Sequence, residues 1–129
     1  MSTNKTIKQL DKNDWTRPQE YNTNFIRRCY DYVEIPIYQL NIEQLRTLIS
    51  QEIGVEFLIP TIIQNLKNNI LAEGDFYPDD LLELTLNLKK EVWTGFEKEK
   101  HILLELIQKN EAEVIEELGE KTIHNLKLI

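Results

Sequence analysis

The length, composition and charge of the chain exclude several classes of protein. Its 129 residues suit one domain, 1–129, which can bury roughly two-thirds of its unfolded surface without a metal or a disulfide. Hydrophobic residues make up 41% of the chain, which argues against disorder throughout. The net charge of −7 argues against a nucleic-acid binder, because phosphate contacts require a basic excess.

The sequence also predicts the cellular location of the protein. The longest apolar stretch, 55–66, is too short to span a bilayer, and Glu56, Pro60 and Gln64 interrupt it. No apolar run near the N-terminus resembles a signal sequence. We therefore expect a cytoplasmic protein that does not enter a membrane.

Residues 1–40 are the least regular part of the chain. Asn, Asp, Thr and Pro recur there, which predicts a short helix at 6–10, a wrapping arm and a helical turn at 25–32. The segment 34–40 has the composition of an extended stretch around Pro36. We expect Trp15 to dock on the core, as aromatic residues in such arms usually do.

A clear helix start follows at Asn41. Its side chain can cap the helix, and Gln44 can reach back to complete a capping box. One apolar stripe then continues to Ile53, and Gly54 stands where a left-handed C-terminal cap is expected.

The segment 55–67 is apolar on nearly every side. A helix without a polar face belongs in the middle of a bundle, so this segment is the predicted central helix. Pro60 must lie in its first turn or kink it, because an interior proline removes a backbone hydrogen bond.

The rest of the chain also has a helical pattern. Pro78, Asp79 and Asp80 favour a helix start, and leucines continue that helix to about Lys89. A turn supplies Trp93, and amphipathic helices follow from 97 to Gly119, with a last short helix or arm at 122–129. The predicted fold is all-α: a single-domain compact helical bundle with an irregular N-terminal arm.

The reactive side chains do not form a recognisable catalytic or metal site. Cys29 is the one cysteine, and the two histidines, His101 and His124, lie far from it in sequence, so a partly buried structural side chain is expected rather than a nucleophile. The histidines lack neighbours at zinc-ligand spacing. We therefore expect no enzyme activity, no metal and no cofactor.

The acids between 73 and 80 need separate consideration. A calcium loop of the EF-hand type that began at Asp75 would have Tyr77 at its third position and Asn87 at its twelfth, so the pattern fails. A solvated helix start and a partner-binding patch remain as interpretations. Residues 41–84 carry eight acids against two bases, so this region holds most of the negative charge.

From residue 10 to 95 the sequence resembles bacterial contact-dependent growth inhibition (CDI) immunity proteins. The similar runs are 45–46, 49–54, 58–60, 71–78 and 80–82, together with Trp93 and the pair Asp14–Trp15. The run Leu-Ala-Glu-Gly-Asp-Phe-Tyr-Pro at 71–78 is the most specific. The chain departs from the family at Ile70, where members tend to have proline, and at Asp79, where they tend to have glycine.

The resemblance implies a function. CDI immunity proteins bind the C-terminal toxin domain of a large surface protein and block it inside the producing cell, and such toxins are commonly nucleases. A basic nuclease domain is the expected partner, and an acidic surface would steer its encounter. The predicted partner-binding residues are Glu73, Asp75, Tyr77, Asp79 and Asp80.

Two other functions remain open from the sequence. The chain could be a small acidic adaptor or regulatory subunit for another basic partner. A hydrolase with paired carboxylates is the third interpretation, although it would need a substrate groove and one buried acid.

Overall fold

Seven α-helices form the regular structure of the described part of the chain. A computed structural model describes residues 5–71 and 80–119, and no strand occurs within them. The helices are α1 (Ile7–Leu10), α2 (Asn24–Tyr32), α3 (Ile42–Ser50), α4 (Val55–Asn68), α5 (Asp80–Leu86), α6 (Glu97–Lys109) and α7 (Glu111–Leu118). Short 3₁₀ helices occupy Ile37–Gln39 and Lys90–Trp93. The all-α prediction is confirmed.

Side-chain caps begin the first three helices. The Gln44 N–H donates to Asn41 Oδ1 at 2.8 Å, and the Asn41 N–H donates to Gln44 Oε1 at 2.9 Å, so the predicted capping box is present. Thr6 and Gln9 form a second capping box at α1. Thr23 accepts from the Ile26 N–H at 3.1 Å and caps α2. These caps satisfy amides that have no partner inside the helix.

The prediction for Gly54 was wrong in its position. Helix α3 ends at Ser50, and the left-handed residue that closes it is Glu52, with φ 56°. The Ile53 N–H donates to Leu48 O at 2.9 Å and the Glu52 N–H to Ile49 O at 3.0 Å, which is the Schellman pattern. Gly54, with φ 58°, instead precedes α4 as its N-cap.

Gly54 also allows α1 to approach the α3–α4 junction. A Cβ atom on Gly54 would lie 2.8 Å from Ile7 Cγ2, closer than packing permits. Ile7 itself is fully buried. Glycine is therefore required here both by its backbone conformation and by the contact with α1.

Helix α4 is the central helix, as predicted. It packs against α3, α5, α6 and the 3₁₀ helix Ile37–Gln39. The prediction that it lacks a polar face was wrong, because one narrow edge is exposed: Glu56, Pro60, Gln64, Lys67 and Asn68. Pro60 lies in the second turn, so the hydrogen bond that it cannot donate is missing on the solvent side of the helix.

The N-terminal arm, residues 11–23, crosses from α1 to α2. Backbone hydrogen bonds hold α1, which precedes the arm, since the Lys8 N–H donates to Val33 O at 2.9 Å and the Ile37 N–H to Lys5 O at 3.0 Å. Trp15 is half-buried against the core, as predicted. Its ring packs edge-on against the Tyr30 ring, with 5.4 Å between the ring centroids.

Ion pairs on the surface connect the N-terminal arm to α2 and to the residues after it. Arg17 pairs with Glu34 and with Asp31, the latter at 2.9 Å, and Lys8 pairs with Glu34 at 3.0 Å. These hydrogen bonds from Arg17 and Lys8 lower the pKa of Glu34 to about 2. The arm is therefore attached mainly by polar and aromatic contacts.

The C-terminal helices follow the predicted order. Trp93 is buried, α6 packs on both α4 and α7, and α7 ends at Gly119. The predicted last helix at 122–129 lies outside the described residues. Within 5–71 and 80–119, no helix is long and apolar enough to cross a membrane.

Candidate functional site

The acidic loop predicted as the partner-binding patch lies almost wholly outside the described residues. Glu73, Asp75, Tyr77 and Asp79 fall in the segment 72–79. Asp80 is the first residue of α5, and its side chain is not described either. Their role in binding a partner therefore stays a prediction.

The two ends of this loop are nonetheless well defined. Ile70 is buried just before it, and Leu81 and Leu82 are fully buried just after it. The Leu71 N–H donates to Asn69 Oδ1 at 3.1 Å, which turns the chain away from the end of α4. The described residues that flank 72–79 on either side are therefore part of the core.

A cleft of about 340 Å³ opens elsewhere on the described surface. Three segments that are distant in sequence form it: the start of the N-terminal arm, the α3–α4 junction and the chain from 88 to 96. Its apolar lining comes from Val55, Leu88, Val92 and Phe96. Its carboxylates belong to Asp11, Glu52, Glu56 and Glu91.

Asp11 reaches the cleft because it caps the C-terminus of α1. Its N–H donates to Ile7 O at 2.7 Å, and Gly54 allows Ile7 to sit against the α3–α4 junction. The carboxylate accepts hydrogen bonds from Trp15 Nε1 and Asn13 Nδ2, both at 3.1 Å. Partial burial opposes ionisation of this group, but these hydrogen bonds outweigh it and lower the pKa of Asp11.

Glu52 comes to the cleft through its left-handed backbone at the end of α3. Its carboxylate lies 3.5 Å from Lys89 Nζ, and both side chains are about two-thirds exposed, at 64% and 68%. An ion pair that is this exposed contributes little to stability. Among the described residues, Lys89 is the one cation that lines the cleft, so the negative charge of the four carboxylates prevails there.

The described residues give no sign of a catalytic or metal centre. No group of three or more His, Cys, Asp or Glu within them could hold a metal ion. Cys29 is buried, as expected, and burial raises the pKa of its thiol despite the nearby charge of Arg28. A raised pKa is the opposite of what an activated nucleophile needs.

Sequence reasoning missed this cleft. The charge bias of residues 41–84 included Glu52 and Glu56, but it gave no reason to join them to Asp11 or Glu91. Those four acids span eighty residues of chain, from 11 to 91, and only the packing of α1 and of the chain around Trp93 brings them together. The Schellman closure that places Glu52 at the cleft was not predicted either, because the sequence favoured Gly54 as the left-handed residue.

A comparison with protein-family models decides the assignment. The model of CDI immunity proteins matches residues 9–106. The chain belongs to the CDI immunity proteins. No curated protein and no solved structure matches it.

Membership of this family implies that the protein binds and neutralises a CDI toxin, and such immunity proteins are generally not enzymes. The matched range contains every residue that lines the cleft. It also contains the acidic loop at 73–80. Both surfaces thus lie in the part of the chain that defines the family, whereas α7 lies outside it.

Proposed function

We propose that this CDI immunity protein acts in the cytoplasm and blocks the active site of a nuclease toxin domain. The family match over residues 9–106 carries the proposal, because it supports a toxin domain as the partner. The inference that the toxin is a nuclease is more specific than the inference that the partner is a toxin. It rests on the acidity of the chain, which carries a net charge of −7.

The charge argument is physical. A nuclease holds phosphates, so its active site is basic, and an acidic protein can occupy the same place as the substrate. Opposite charge on the two partners also raises the rate of encounter, by tenfold to a thousandfold in favourable cases.

The acidic loop is the proposed toxin-facing patch. Glu73, Asp75, Asp79 and Asp80 supply the charge, and Tyr77 supplies an aromatic side chain of the kind that dominates binding energy at interface centres. Ile70 and Leu81, which flank this segment, are both buried.

Inhibition of the toxin tests the function itself. The probe is the C-terminal domain of a candidate toxin, which would be sought as the end of a large secreted protein encoded next to the gene for this chain. We expect this domain to degrade nucleic acid, an equimolar amount of the immunity protein to abolish that activity, and the immunity protein alone to degrade nothing. A toxin domain that is inhibited but attacks another substrate would refute the nuclease and keep the immunity function.

Association kinetics test the acidic loop. The variant Asp75→Asn/Asp79→Asn/Asp80→Asn should associate with the toxin domain roughly tenfold more slowly at low salt. High salt should slow the wild type in the same way and change the variant little, because the Debye length falls to about 3 Å at 1 M.

The control removes the same charge from another surface. Glu113→Gln/Glu116→Gln/Glu117→Gln neutralises three exposed acids of α7. If the control slows association as much as the loop variant does, net charge alone explains the effect and the loop is not the patch.

A further inference from the structure

We propose that the cleft receives one arginine side chain of the toxin domain. The inference rests on the proposed function, which supplies the partner, and it adds a second contact away from the acidic loop. The cleft in question is the one between the N-terminal arm, the α3–α4 junction and residues 88–96.

The size of the cleft suits a single side chain. Its volume of about 340 Å³ is at the lower end of the range for pockets that hold small molecules. A helix or a strand of the partner is far too large to enter it. A long side chain that projects from the partner surface is small enough to enter the cleft.

The lining suits a side chain with an apolar stem. Val55 is buried, and Leu88, Val92 and Phe96 are each partly buried, so their exposed parts form an apolar wall. The methylene groups of arginine can cover such a wall while the charged end stays near the rim. Phe96 also lines the cleft, and an aromatic ring attracts a guanidinium group.

The carboxylates supply the charge complementarity. Glu56 and Glu91 are exposed, and within the described residues no ion pair or side-chain hydrogen bond engages either carboxylate. Within the described part of the chain Glu52 is paired only with Lys89, across an exposed contact of 3.5 Å that a partner can displace at little cost. The cleft is thus negative on balance and has acceptors available at its rim.

Arginine fits this arrangement better than lysine. Its planar group carries five N–H donors in a fixed fork, so one side chain can bind carboxylates that come from different segments. It is also less strongly hydrated than an ammonium group and loses less when it enters an apolar cleft.

The first test removes the carboxylates that are available. We expect Glu56→Gln/Glu91→Gln to weaken binding of the cognate toxin domain by roughly tenfold or more, mainly through faster dissociation, because a desolvated charge contact governs dissociation. The matched control is Glu113→Gln/Glu117→Gln, which removes the same charge from exposed positions on α7. The control should bind within twofold of the wild type.

The second test fills the cleft without changing charge. Thr94 is exposed and lines the cleft, so Thr94→Trp should block entry and weaken binding to a similar degree. Gln64→Trp, at an exposed uncharged position of α4, is the control for a new surface tryptophan. Thermal unfolding of each variant shows whether it still folds.

A scan of the toxin domain identifies the occupant. Each toxin arginine is replaced by lysine, and each variant is titrated against the wild type and against Glu56→Gln/Glu91→Gln. We expect one arginine whose replacement weakens binding to the wild type and adds nothing in the cleft variant, which is the signature of a direct contact.

The outcomes separate the two proposals. If the wild type does not bind the toxin domain, the proposed function fails and this inference falls with it. If the wild type binds but Glu56→Gln/Glu91→Gln and Thr94→Trp bind equally well, or if no toxin arginine couples to the cleft, the inference is wrong and the proposed function stands.

Discussion

Helix α4 and the N-terminal arm are held in place by different forces. Six residues of α4 are buried: Val55, Leu58, Ile59, Ile62, Ile63 and Leu66. The arm, 11–23, has no fully buried residue, and its contacts are hydrogen bonds, ion pairs and aromatic edges. Burial of apolar area stabilises far more per residue than exposed polar contacts do.

This difference indicates which region of the molecule opens at the lower free-energy cost. The arm begins at Asp11, which lines the cleft, and α4 contributes Val55 and Glu56 to the same lining. Part of the lining therefore belongs to the central helix, and part belongs to a segment that is attached by contacts that open at low cost. Substitutions in the two regions should have correspondingly different effects.

The largest effect is expected in α4. Leu66 is 1% exposed, so Leu66→Ala should lower the free energy of unfolding by about 2–5 kcal/mol, through lost burial and the cavity left behind. Chemical denaturation measures the change. The neighbouring exposed residue gives the control, since Lys67→Ala should stay within about 0.5 kcal/mol of the wild type. Equal losses in the two variants would show that α4 is not the core.

An intermediate effect is expected where the start of the chain meets α4. Gly54→Ala should cost about 1–3 kcal/mol, because alanine disfavours the left-handed backbone and its Cβ meets Ile7 at 2.8 Å. Gly95→Ala is the control: Gly95 has φ 89° but no atom within 4 Å of the added Cβ. If the two variants lose the same stability in denaturation, the contact with Ile7 contributes nothing.

The smallest effect is expected at the ion pairs of the arm, and it depends on pH. Glu34 has a pKa of about 2 in the folded protein, below its ordinary value, because Arg17 and Lys8 donate hydrogen bonds to it. A lowered pKa stabilises the fold above the unfolded pKa, near 4.3, and that contribution is lost as pH falls toward 2. The melting temperature of Glu34→Gln should therefore fall below that of the wild type at pH 7, with the gap closing between pH 5 and pH 2.

Arg17 supplies the control for this pH dependence. In an Arg17→Gln background, the Glu34→Gln substitution should produce a much smaller pH-dependent difference, since only Lys8 would remain as a partner. A gap that stays constant across the pH range would mean that the ion pairs do not stabilise the arm.

Local signals predicted helix starts and the identity of the core well. The capping box at Asn41 and Gln44 is visible in four consecutive letters, and the apolar run at 55–67 reports a central helix directly. The end of α3 was harder to predict, because Ile53 continues the apolar stripe while it already belongs to the closing turn. Glutamate in a left-handed conformation is uncommon, so Gly54 was the natural but wrong choice.

The sequence predicted the candidate site less well than it predicted the fold. The acidic loop could be named because its acids are adjacent, yet adjacency does not show what they contact. The cleft could not be named, because Asp11, Glu52 and Glu91 become neighbours only through the packing of α1 and of the chain before α6 against the α3–α4 junction. A sequence pattern within one segment does not show which distant segments will pack beside it.

Because Cys29 is buried, its rate of reaction with a thiol reagent can measure unfolding of the protein. The thiol is 6% exposed, its pKa is raised by burial, and no second cysteine exists to compete with it. A thiol reagent should label the native protein slowly and the opened protein at once, so a single mass shift counts the molecules that have opened. Because Cys29 lies on α2, where Trp15 docks through Tyr30, the rate of labelling would report opening of the weakly attached side of the molecule without an engineered cysteine.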